Sequence, residues 1–270
     1  RGLLATVDKE VDDAYVTAVK DQALRPDVFS RRGSSAKVVY TPLHGAGAML
    51  VERVLRELGV EVTFVEEQRE PNGDFPTVEY PNPEEASAME MACELGKRIG
   101  AAMVMGTDPD ADRMAIGVPR QGSLALITGN QLGVLLVDYI FSTMEELGTL
   151  PAKPAFVKTI VTTELQRLVA ESHGAHCYDT LTGFKYIAEK IRQFESEKDG
   201  PRYVFGCEES YGYLPGTAAR DKDAVATAAM TVEMLLYHHS QGRTLPDRLN
   251  DLYRTHGYFK ETLIQKYFEG

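Results

Sequence analysis

The stretch Ala101–Val118, AAMVMGTDPDADRMAIGV, decides how this chain folds. It joins an apolar run to a polar loop, GTDPDADR, and then to a second apolar run, MAIGV. This pattern predicts a buried strand, a tight loop and a second strand. Three aspartates, Asp108, Asp110 and Asp112, alternate through the loop, and Arg113 follows them at once. Because carboxylates this close repel one another, the loop predicts a positively charged partner.

The alternation of the three aspartates favours a metal-binding loop. On a helix, residues two apart point to different sides, and on a strand they stand roughly 6–7 Å apart, so only a loop wraps them round one ion. Hard oxygen ligands suit Mg²⁺ or Ca²⁺. A calcium-hand loop needs glycine and glutamate where this chain has Arg113 and Pro119. We therefore predict an Mg²⁺ site, with a solvated acidic loop as the alternative.

Outward from this loop, strand and helix patterns alternate along the chain. Strand patterns occupy 37–43, 60–67, 101–108, 114–118, 124–128, 155–161, 176–181 and 203–210. Helical patterns occupy 8–24, 45–59, 84–99, 130–147, a segment from about 163, 183–194 and 223–239. Such alternation indicates layered sheets covered by helices. We expect one α/β unit up to about residue 119 and a second from Arg120.

Two further polar stretches fall at the ends of predicted strands, Leu181–Lys185 and Gly206–Gly212. Functional residues in α/β folds gather at the carboxyl ends of strands, so we expect these stretches to meet the aspartate loop. Glu208, Glu209 and Ser210 offer oxygen atoms that suit sugar hydroxyls. Paired acids in a loop are usually only solvated, so this cluster is weak evidence when taken alone.

A basic stretch, Ala219–Asp223, opens the long helix predicted over 223–239. An aspartate at a helix N-terminus is an ordinary cap. Arg220 and Lys222 stand at the same helix end, where they suit an anion or a proton transfer. Solvated surface cations are the simpler interpretation of this stretch in isolation.

Composition narrows the possible partners of the chain. The 270 residues include 29 basic and 40 acidic side chains, a formal net charge of −11. This balance argues against nucleic acid or an anionic membrane as the main partner. No apolar run reaches membrane-spanning length, and we expect no signal peptide. The three cysteines form no CxxC pair, which favours a reducing compartment, and we expect a cytoplasmic protein.

A glycine-rich turn at Gly45–Gly47 keeps a nucleotide-binding interpretation open. Glu66 follows at the end of the next predicted strand, as in a dinucleotide fingerprint. The third glycine of that fingerprint is Leu50 here, so the match is only partial. An oxidoreductase domain that binds a nucleotide through Gly45, Gly47 and Glu66 is therefore a minor alternative.

Together the motifs resemble the α-D-phosphohexomutase family of phosphoglucomutases and phosphomannomutases. GTDPDADR resembles the family's Mg²⁺ loop, GCEESYG its sugar-hydroxyl loop and TLTGFK a specificity loop. ARDKDA resembles the basic stretch near the substrate, and VYTPLHGAG resembles a strand and turn of the second domain. The five motifs occur in the family's order across nearly the whole chain. The similarity is strongest to the branch that acts on glucose and pentose phosphates.

The resemblance implies a role for each matching residue. It implies that Asp108, Asp110 and Asp112 bind Mg²⁺, that Arg113 lies beside the transferred phosphoryl group, and that Lys222 is the general acid and base. It further implies a set of residues that bind the phosphosugar: Glu208, Ser210, Glu209, Gly183, Phe184 and Arg220. Glu209 falls on a variable position of the motif.

The resemblance also implies a fold and a domain plan. It implies two consecutive three-layer α/β/α domains with mixed, mostly parallel sheets, like the second and third of four mutase domains. We expect the second mutase domain over 1–119, the third over 120–256, and the start of a linker to a fourth domain over 257–270. The first and fourth domains of the same polypeptide are then partners of this chain.

The implied reaction moves a phosphoryl group between C1 and C6 of a hexose, or C5 of a pentose, through a phosphoserine and a bisphosphate. It implies Mg²⁺ and an activator of the glucose 1,6-bisphosphate type. The family's serine run, Thr-Ala-Ser-His-Asn-Pro or similar, does not occur here, so we expect this piece to be inactive alone. A stand-alone module that binds metal and sugar phosphate is the second alternative.

Overall fold

The structure, a computed structural model, describes residues 9–33, 36–120 and 122–262. The first residue of the predicted helix 8–24 and the segment 263–270 of the expected linker lie outside them. Within these residues, no helix combines the length and the apolar character that crossing a membrane requires.

The first sheet has five strands in the order β2-β1-β3-β4-β5. Its strands are β1 (Val38–Thr41), β2 (Val62–Phe64), β3 (Met103–Thr107), β4 (Met114–Arg120) and β5 (Ser123–Ile127). β1 pairs in parallel with β2 and β3, whereas β4 runs antiparallel to β3 and to β5. The parallel strands β1 and β3 are buried along their whole length, as expected for strands covered on both faces.

Four helices belong to the first half of the described chain. They are α1 (Lys9–Lys20), α2 (Pro26–Arg32), α3 (Gly47–Glu57) and α4 (Glu90–Ile99). The helical pattern predicts α4 from residue 84, but the helix begins only at Glu90. The Oδ1 atom of Asn82 accepts the Glu84 N–H at 3.0 Å, which holds this segment in a turn.

The second sheet has four strands in the order β7-β6-β8-β9. Its strands are β6 (Pro154–Thr159), β7 (His176–Thr180), β8 (Arg202–Cys207) and β9 (Tyr213–Pro215). β6 pairs in parallel with β7 and β8, and β9 closes the edge in antiparallel pairing with β8. The two sheets confirm the expected fold of α/β domains with mixed sheets.

Five helices belong to the second half of the described chain. They are α5 (Gly129–Glu146), α6 (Glu164–Ser172), α7 (Phe184–Ser196), α8 (Ala224–Ser240) and α9 (Leu245–His256). α8 is buried along almost its whole length, which is unusual for a helix of a small domain. It packs against α1, α2 and α3 as well as against β9, so one helix serves the cores of both halves.

The strand pattern at 124–128, expected to open the second unit, completes the first sheet instead. β5 hydrogen bonds β4 through five residue pairs, from Ile116↔Ile127 to Arg120↔Ser123. The turn between the two strands is too short to carry β5 away from its neighbour. We therefore propose a domain boundary close to residue 128, where α5 begins, rather than at 120.

The carboxyl ends of the parallel strands carry the polar stretches singled out in the sequence. The aspartate loop follows β3, residues 181–183 follow β7 and the loop from Glu208 follows β8. This arrangement brings the polar stretches of both units to adjoining loops.

Candidate active site

The aspartate loop is a tight turn between β3 and β4, built around Asp108. The Oδ1 atom of Asp108 accepts the N–H groups of Asp112 at 3.0 Å and Arg113 at 2.9 Å. The Ala111 N–H donates to the Asp108 carbonyl at 3.0 Å, and Ala111 has a φ of 57°. A left-handed alanine is strained, so the surrounding hydrogen bonds impose this turn on the chain.

The turn gathers three carboxylates into one cluster. One oxygen from each of Asp108, Asp110 and Asp112 lies within 4.8 Å of the others. Burial raises the pKa of Asp108 to about 7, an effect that the backbone hydrogen bond from Arg113 opposes and the charges of Asp112 and Asp110 increase. Such a site strongly favours an added positive charge.

An unsatisfied oxygen shows that the cluster fits a divalent cation. Oδ1 of Asp112 is buried and has no hydrogen-bond partner within the described residues. The Nε atom of Arg113 stands 3.8 Å from this oxygen, beyond hydrogen-bonding distance. A buried carboxylate oxygen without a partner is costly, and a bound Mg²⁺ would satisfy it.

The glycine-rich turn at Gly45–Gly47 packs directly against the aspartate loop. A Cβ atom on Gly45 would lie 2.2 Å from Cα of Pro109, and one on Gly47 would lie 2.5 Å from the hydroxyl of Tyr40. The Ala46 N–H donates to the Pro109 carbonyl at 2.8 Å. Close packing against the aspartate loop therefore explains both glycines without a nucleotide.

Lys222 reaches the aspartate loop from the second half of the chain. Its Nζ lies 2.9 Å from Oδ2 of Asp112 and 3.3 Å from Oδ1 of Asp221. Burial lowers the pKa of Lys222, but the hydrogen bond to Asp112 and the charges of Asp112 and Asp221 together raise it above its usual value. The ammonium group stands 5.7 Å from the centre of the Phe184 ring.

The segment 206–212, called the sugar loop below after the motif it resembles, comprises the last two residues of β8 and the loop that follows them. It is joined directly to the aspartate loop. Gly212 forms an isolated antiparallel bridge with Arg113, and the Met114 N–H donates to the Tyr211 carbonyl at 3.0 Å. A Cβ on Gly212 would lie 2.1 Å from Cδ of Lys222, so the backbone of this loop touches the lysine stem. The aspartate loop, the sugar loop and Lys222 therefore form one connected site.

Glu208 faces the turn before α7. It is buried, and its Oε1 accepts the Gly183 N–H at 2.9 Å. Burial raises the pKa of Glu208, and the hydrogen bond from Gly183 partly offsets this rise. Gly183 has a φ of 117°, a conformation that other residues rarely adopt, so a glycine is required to bring this N–H to the carboxylate.

The next two residues of the loop differ in orientation. Oε2 of Glu209 accepts a hydrogen bond from the Thr159 hydroxyl at 2.9 Å and lies 3.4 Å from that of Thr162. Its carboxylate is therefore held at the end of β6. Ser210 follows it in the loop and is half-buried.

Two expected site residues have other contacts in the structure. Phe184 is 3% exposed and packs in the apolar cluster with Ile187 and Ile191, with the Lys222 ammonium over its ring. The guanidinium of Arg220 pairs with Glu195 on α7 at 2.7 Å and is half-exposed. These two side chains therefore border the site and do not enter the cluster round Asp112.

Tyr15 is a site residue that the sequence analysis missed. Together with Ala111 and the stretch Ala219–Asp223 it lines a cavity of about 530 Å³. Its hydroxyl donates to Oδ1 of Asp223 at 2.7 Å, and the same oxygen caps α8 by accepting the Ala226 N–H. A tyrosine at helical spacing indicates only a buried helix face, so no signal in the sequence selects it.

Comparison with known proteins matches both halves of the chain to one family. Residues 13–122 match the family model for phosphoglucomutase/phosphomannomutase, alpha/beta/alpha domain II, and residues 128–256 match the one for domain III. A phosphoglucomutase of Staphylococcus epidermidis is 36% identical over 273 residues, covering 100% of this chain and 48% of the relative. The chain thus spans about half the length of the curated relatives it matches.

Solved structures share the fold. A protein described as a putative phosphomannomutase from Thermus thermophilus superposes with a TM-score of 0.76 at 24% identity, over 94% of this chain and 52% of that one. An N-acetylphosphoglucosamine mutase variant of Aspergillus fumigatus, solved with glucose 1,6-bisphosphate, has a TM-score of 0.52 at 15% identity, over 87% and 48%. With both halves matched to consecutive domain models, the chain belongs to the phosphoglucomutase/phosphomannomutase family and carries its second and third α/β/α domains.

Proposed function

We propose that this chain is the central part of a phosphosugar mutase. The full-length polypeptide moves a phosphoryl group between C1 and C6 of a hexose, or C5 of a pentose, through a phosphoserine and a bisphosphate. One observation carries this proposal: Nζ of Lys222 lies 2.9 Å from Oδ2 of Asp112, so a lysine of one matched domain meets the aspartate loop of the other.

Asp108, Asp110 and Asp112 would hold the Mg²⁺, which supplies positive charge to the oxygens of the transferred phosphoryl group. Arg113 lies beside these carboxylates, with its Nε 3.6 Å from Asp108, and its half-exposed guanidinium is able to turn toward a phosphate. Phosphoryl transfer depends mainly on position and charge, which these residues would supply.

Lys222 is the proposed general acid and base. In this role its ammonium group gives a proton to the leaving oxygen, and the resulting amine takes the proton of the attacking sugar hydroxyl. Glu208 and Ser210 orient the sugar through its hydroxyls, with Gly183 fixing the Glu208 carboxylate. Arg220 and Phe184 border the same cleft, where Arg220 would exchange its pairing with Glu195 for a distal phosphate.

The serine nucleophile and the remaining phosphate site belong, in this proposal, to the first and fourth domains of the polypeptide. Relatives about twice as long as this chain support that arrangement. The complex of a related mutase with glucose 1,6-bisphosphate supports an activator of that type. We further propose a cytoplasmic location, with no nucleic acid or membrane as partner.

The first test of the proposal is the mass of the native protein in its source cells, measured by blotting with an antibody to this chain. A species near twice 29.9 kDa is expected. A species of 29.9 kDa would instead support a stand-alone module that binds metal and sugar phosphate.

The second test is turnover of glucose 1-phosphate. We expect none from the isolated chain, and turnover by the full-length polypeptide that falls about 10²- to 10⁴-fold in Lys222→Ala. Turnover by the isolated chain that Lys222→Ala abolishes would contradict the proposed domain requirement.

The metal assignment is tested separately by calorimetric titration with Mg²⁺. Asp112→Asn removes a ligand charge and should weaken Mg²⁺ binding at least about tenfold, roughly the loss of one charge-assisted contact. Asp74→Asn, in an exposed loop, is the matched control and should bind as the unchanged chain does. Equal affinities for the two variants would exclude Asp112 as a ligand.

A further inference from the structure

Lys158, at the end of β6, is a fully buried lysine that the proposed chemistry does not use. Its side chain has an exposure of 0%. Lysine is almost never fully buried unless it is paired, since removing its charge from water is expensive. Nζ lies 2.7 Å from Oε1 of Glu164 and 3.1 Å from Oδ1 of Asp179.

The same ammonium group fixes the backbone that follows β6. It donates to the Thr162 carbonyl at 3.1 Å, and the Ile160 N–H donates to the Thr180 carbonyl at 2.9 Å. Lys158 therefore connects the turn 159–163 to the start of α6 through Glu164 and to β7 through Asp179. The Lys158 ammonium group therefore fixes the turn through three contacts, with the Thr162 carbonyl, Glu164 and Asp179.

The turn presents two hydroxyl groups to the sugar loop. The hydroxyls of Thr159 and Thr162 lie 2.7 Å apart, and Thr159 lies 2.9 Å from Oε2 of Glu209. Each hydroxyl has one proton to donate. The two shortest contacts are both satisfied if Thr162 donates to Thr159 and Thr159 donates to Glu209.

We propose that four side chains form a tether that positions the sugar loop: Lys158, Thr159, Thr162 and Glu209. Glu209 lies between Glu208 and Ser210, so fixing its carboxylate fixes the backbone of both neighbours. Glu209 acts here as a positioning residue and not as a ligand for the sugar. The functional consequence rests on the proposed mutase activity, whereas the tether itself does not.

A tether and a sugar contact require different properties of the side chain at position 209. A sugar-binding carboxylate works through its charge and through an oxygen that faces the ligand. A tether needs only an oxygen that accepts the Thr159 hydroxyl, and the amide oxygen of glutamine supplies one.

The experiment measures hydrogen exchange of backbone amides 206–212 by mass spectrometry, on the chain without substrate. Thr159→Val and Glu209→Ala remove the contact and should each speed exchange of this loop about tenfold, the equivalent of roughly 1.4 kcal/mol. Thr159→Ser and Glu209→Gln keep a donor or an acceptor and should exchange as the unchanged chain does. Unaltered exchange in both Thr159→Val and Glu209→Ala would overturn the proposal.

A double-mutant cycle separates the tether from general destabilisation. The double variant Thr159→Val with Glu209→Ala should exchange no faster than either single variant, because both remove the same contact. If the double variant instead exchanged faster by the product of the two single increases, the two residues would act independently, and the proposal would be overturned. Lys158→Met should raise exchange in the same loop, and since that variant risks misfolding, the threonine variants decide the outcome.

The full-length polypeptide then tests the functional consequence. Thr159→Val should raise the KM for the phosphosugar more than it lowers kcat, and Thr159→Ser should restore both. If the unchanged polypeptide has no mutase activity while the exchange results hold, the proposed function fails and the tether stands. If mutase activity is present but exchange of the loop is unaffected, the tether fails and the function stands.

Discussion

At the scale of single residues, the site depends on positions where the chain has no room for a side chain. Gly45 packs against the backbone of Pro109, and Gly212 packs against the stem of Lys222. These contacts bring one loop against another and so set the separation between the aspartates and the lysine. Sequence alone marks such glycines as turn residues and does not reveal what they touch.

Gly45→Ala should damage both stability and metal binding. The new methyl group would meet Pro109 backbone atoms at 2.2 to 2.7 Å, which cannot move as a flexible side chain would. We expect a loss of about 1–3 kcal/mol in the free energy of unfolding by urea and a weaker Mg²⁺ titration. Gly73→Ala is the control, because open space surrounds that position. Equal stability of the two variants would argue against the close approach.

The proximity of several candidate site residues could be predicted from the sequence, whereas the directions of other side chains could not. The alternating aspartates and Arg113 do meet in one loop, and Lys222 lies beside them, because strand ends of α/β units share an edge. The resemblance implies that Glu209 and Arg220 bind the phosphosugar, yet their side chains pair with Thr159 and Glu195. The direction of a loop side chain depends on long-range partners, which local spacing does not encode.

At the scale of elements, α8 is the helix on which the site depends. Asp223 caps its first turn and also accepts the hydroxyl of Tyr15 from α1. Lys222 immediately precedes this cap, so the start of the helix fixes where the lysine backbone lies. The long apolar pattern predicted α8 correctly, whereas the short strand β9, the seven-residue α2 and α9 were not identified.

Tyr15→Phe should destabilise the chain by removing one hydrogen bond to a buried carboxylate. A charged acceptor makes this loss larger than for a neutral pair, and we expect about 1.5–3 kcal/mol in urea unfolding. Tyr258→Phe is the matched control, since Tyr258 is 72% exposed. A difference of less than about 0.5 kcal/mol between the two variants would mean that the contact contributes little.

The packing of α8 against its neighbours also predicts a pH dependence. Burial lowers the pKa of His238 to about 4, and Nε2 of this ring has no hydrogen-bond partner within the described part of the chain. Asp138 opposes this shift, and the charges of Arg248, Arg243 and, when protonated, His239 add to it. The unfolded chain therefore binds a proton on His238 at a higher pH than the folded chain does, and stability falls as the pH drops from about 7 toward 4.

The variant His238→Leu removes this titration. The drop in unfolding free energy between about pH 7 and pH 5 should shrink by up to about 2 kcal/mol relative to the unchanged chain. His173 titrates in the opposite sense, since the carboxylates of Asp138 and Glu145 raise its pKa, and its stabilising effect is lost only as the pH rises. His256→Gln, at the end of α9, serves as the control. An unchanged drop in His238→Leu would contradict the assignment.

At the scale of the whole chain, the two matched domains share one core. The largest buried apolar cluster of the described residues contains Val51 of α3, Leu135 of α5 and Leu235 of α8. The bridge between Arg113 and Gly212 adds a backbone link at the site. The alternating patterns predicted two α/β units. They could not predict the shared helix, because the hydrophobic pattern of a helix shows that a face is apolar but not which element packs against it.

The described chain should therefore unfold as one cooperative unit. Pulses of hydrogen exchange at increasing urea concentrations report when each peptide unfolds. The urea concentration at half-unfolding should be the same for peptides of β1 and β3 as for peptides of β6 and β8. Leu235→Ala, within α8, should lower both urea midpoints together. The corresponding loss in the free energy of unfolding should be about 2–5 kcal/mol. Two separate midpoints would show that the sheets are independent despite the shared helix.

The shared helix also constrains how such a gene is recombined. A crossover near residue 128 joins the residues before 128 from one parent to the residues after 128 from another. The surface formed by α1, α2 and α3 must then pack against an α8 from the other parent. Chimeras of close relatives should survive only where those four helices come from the same parent, even when the aspartate loop and the sugar loop are identical. In inheritance as well as in structure, α1, α2, α3 and α8 form a single block.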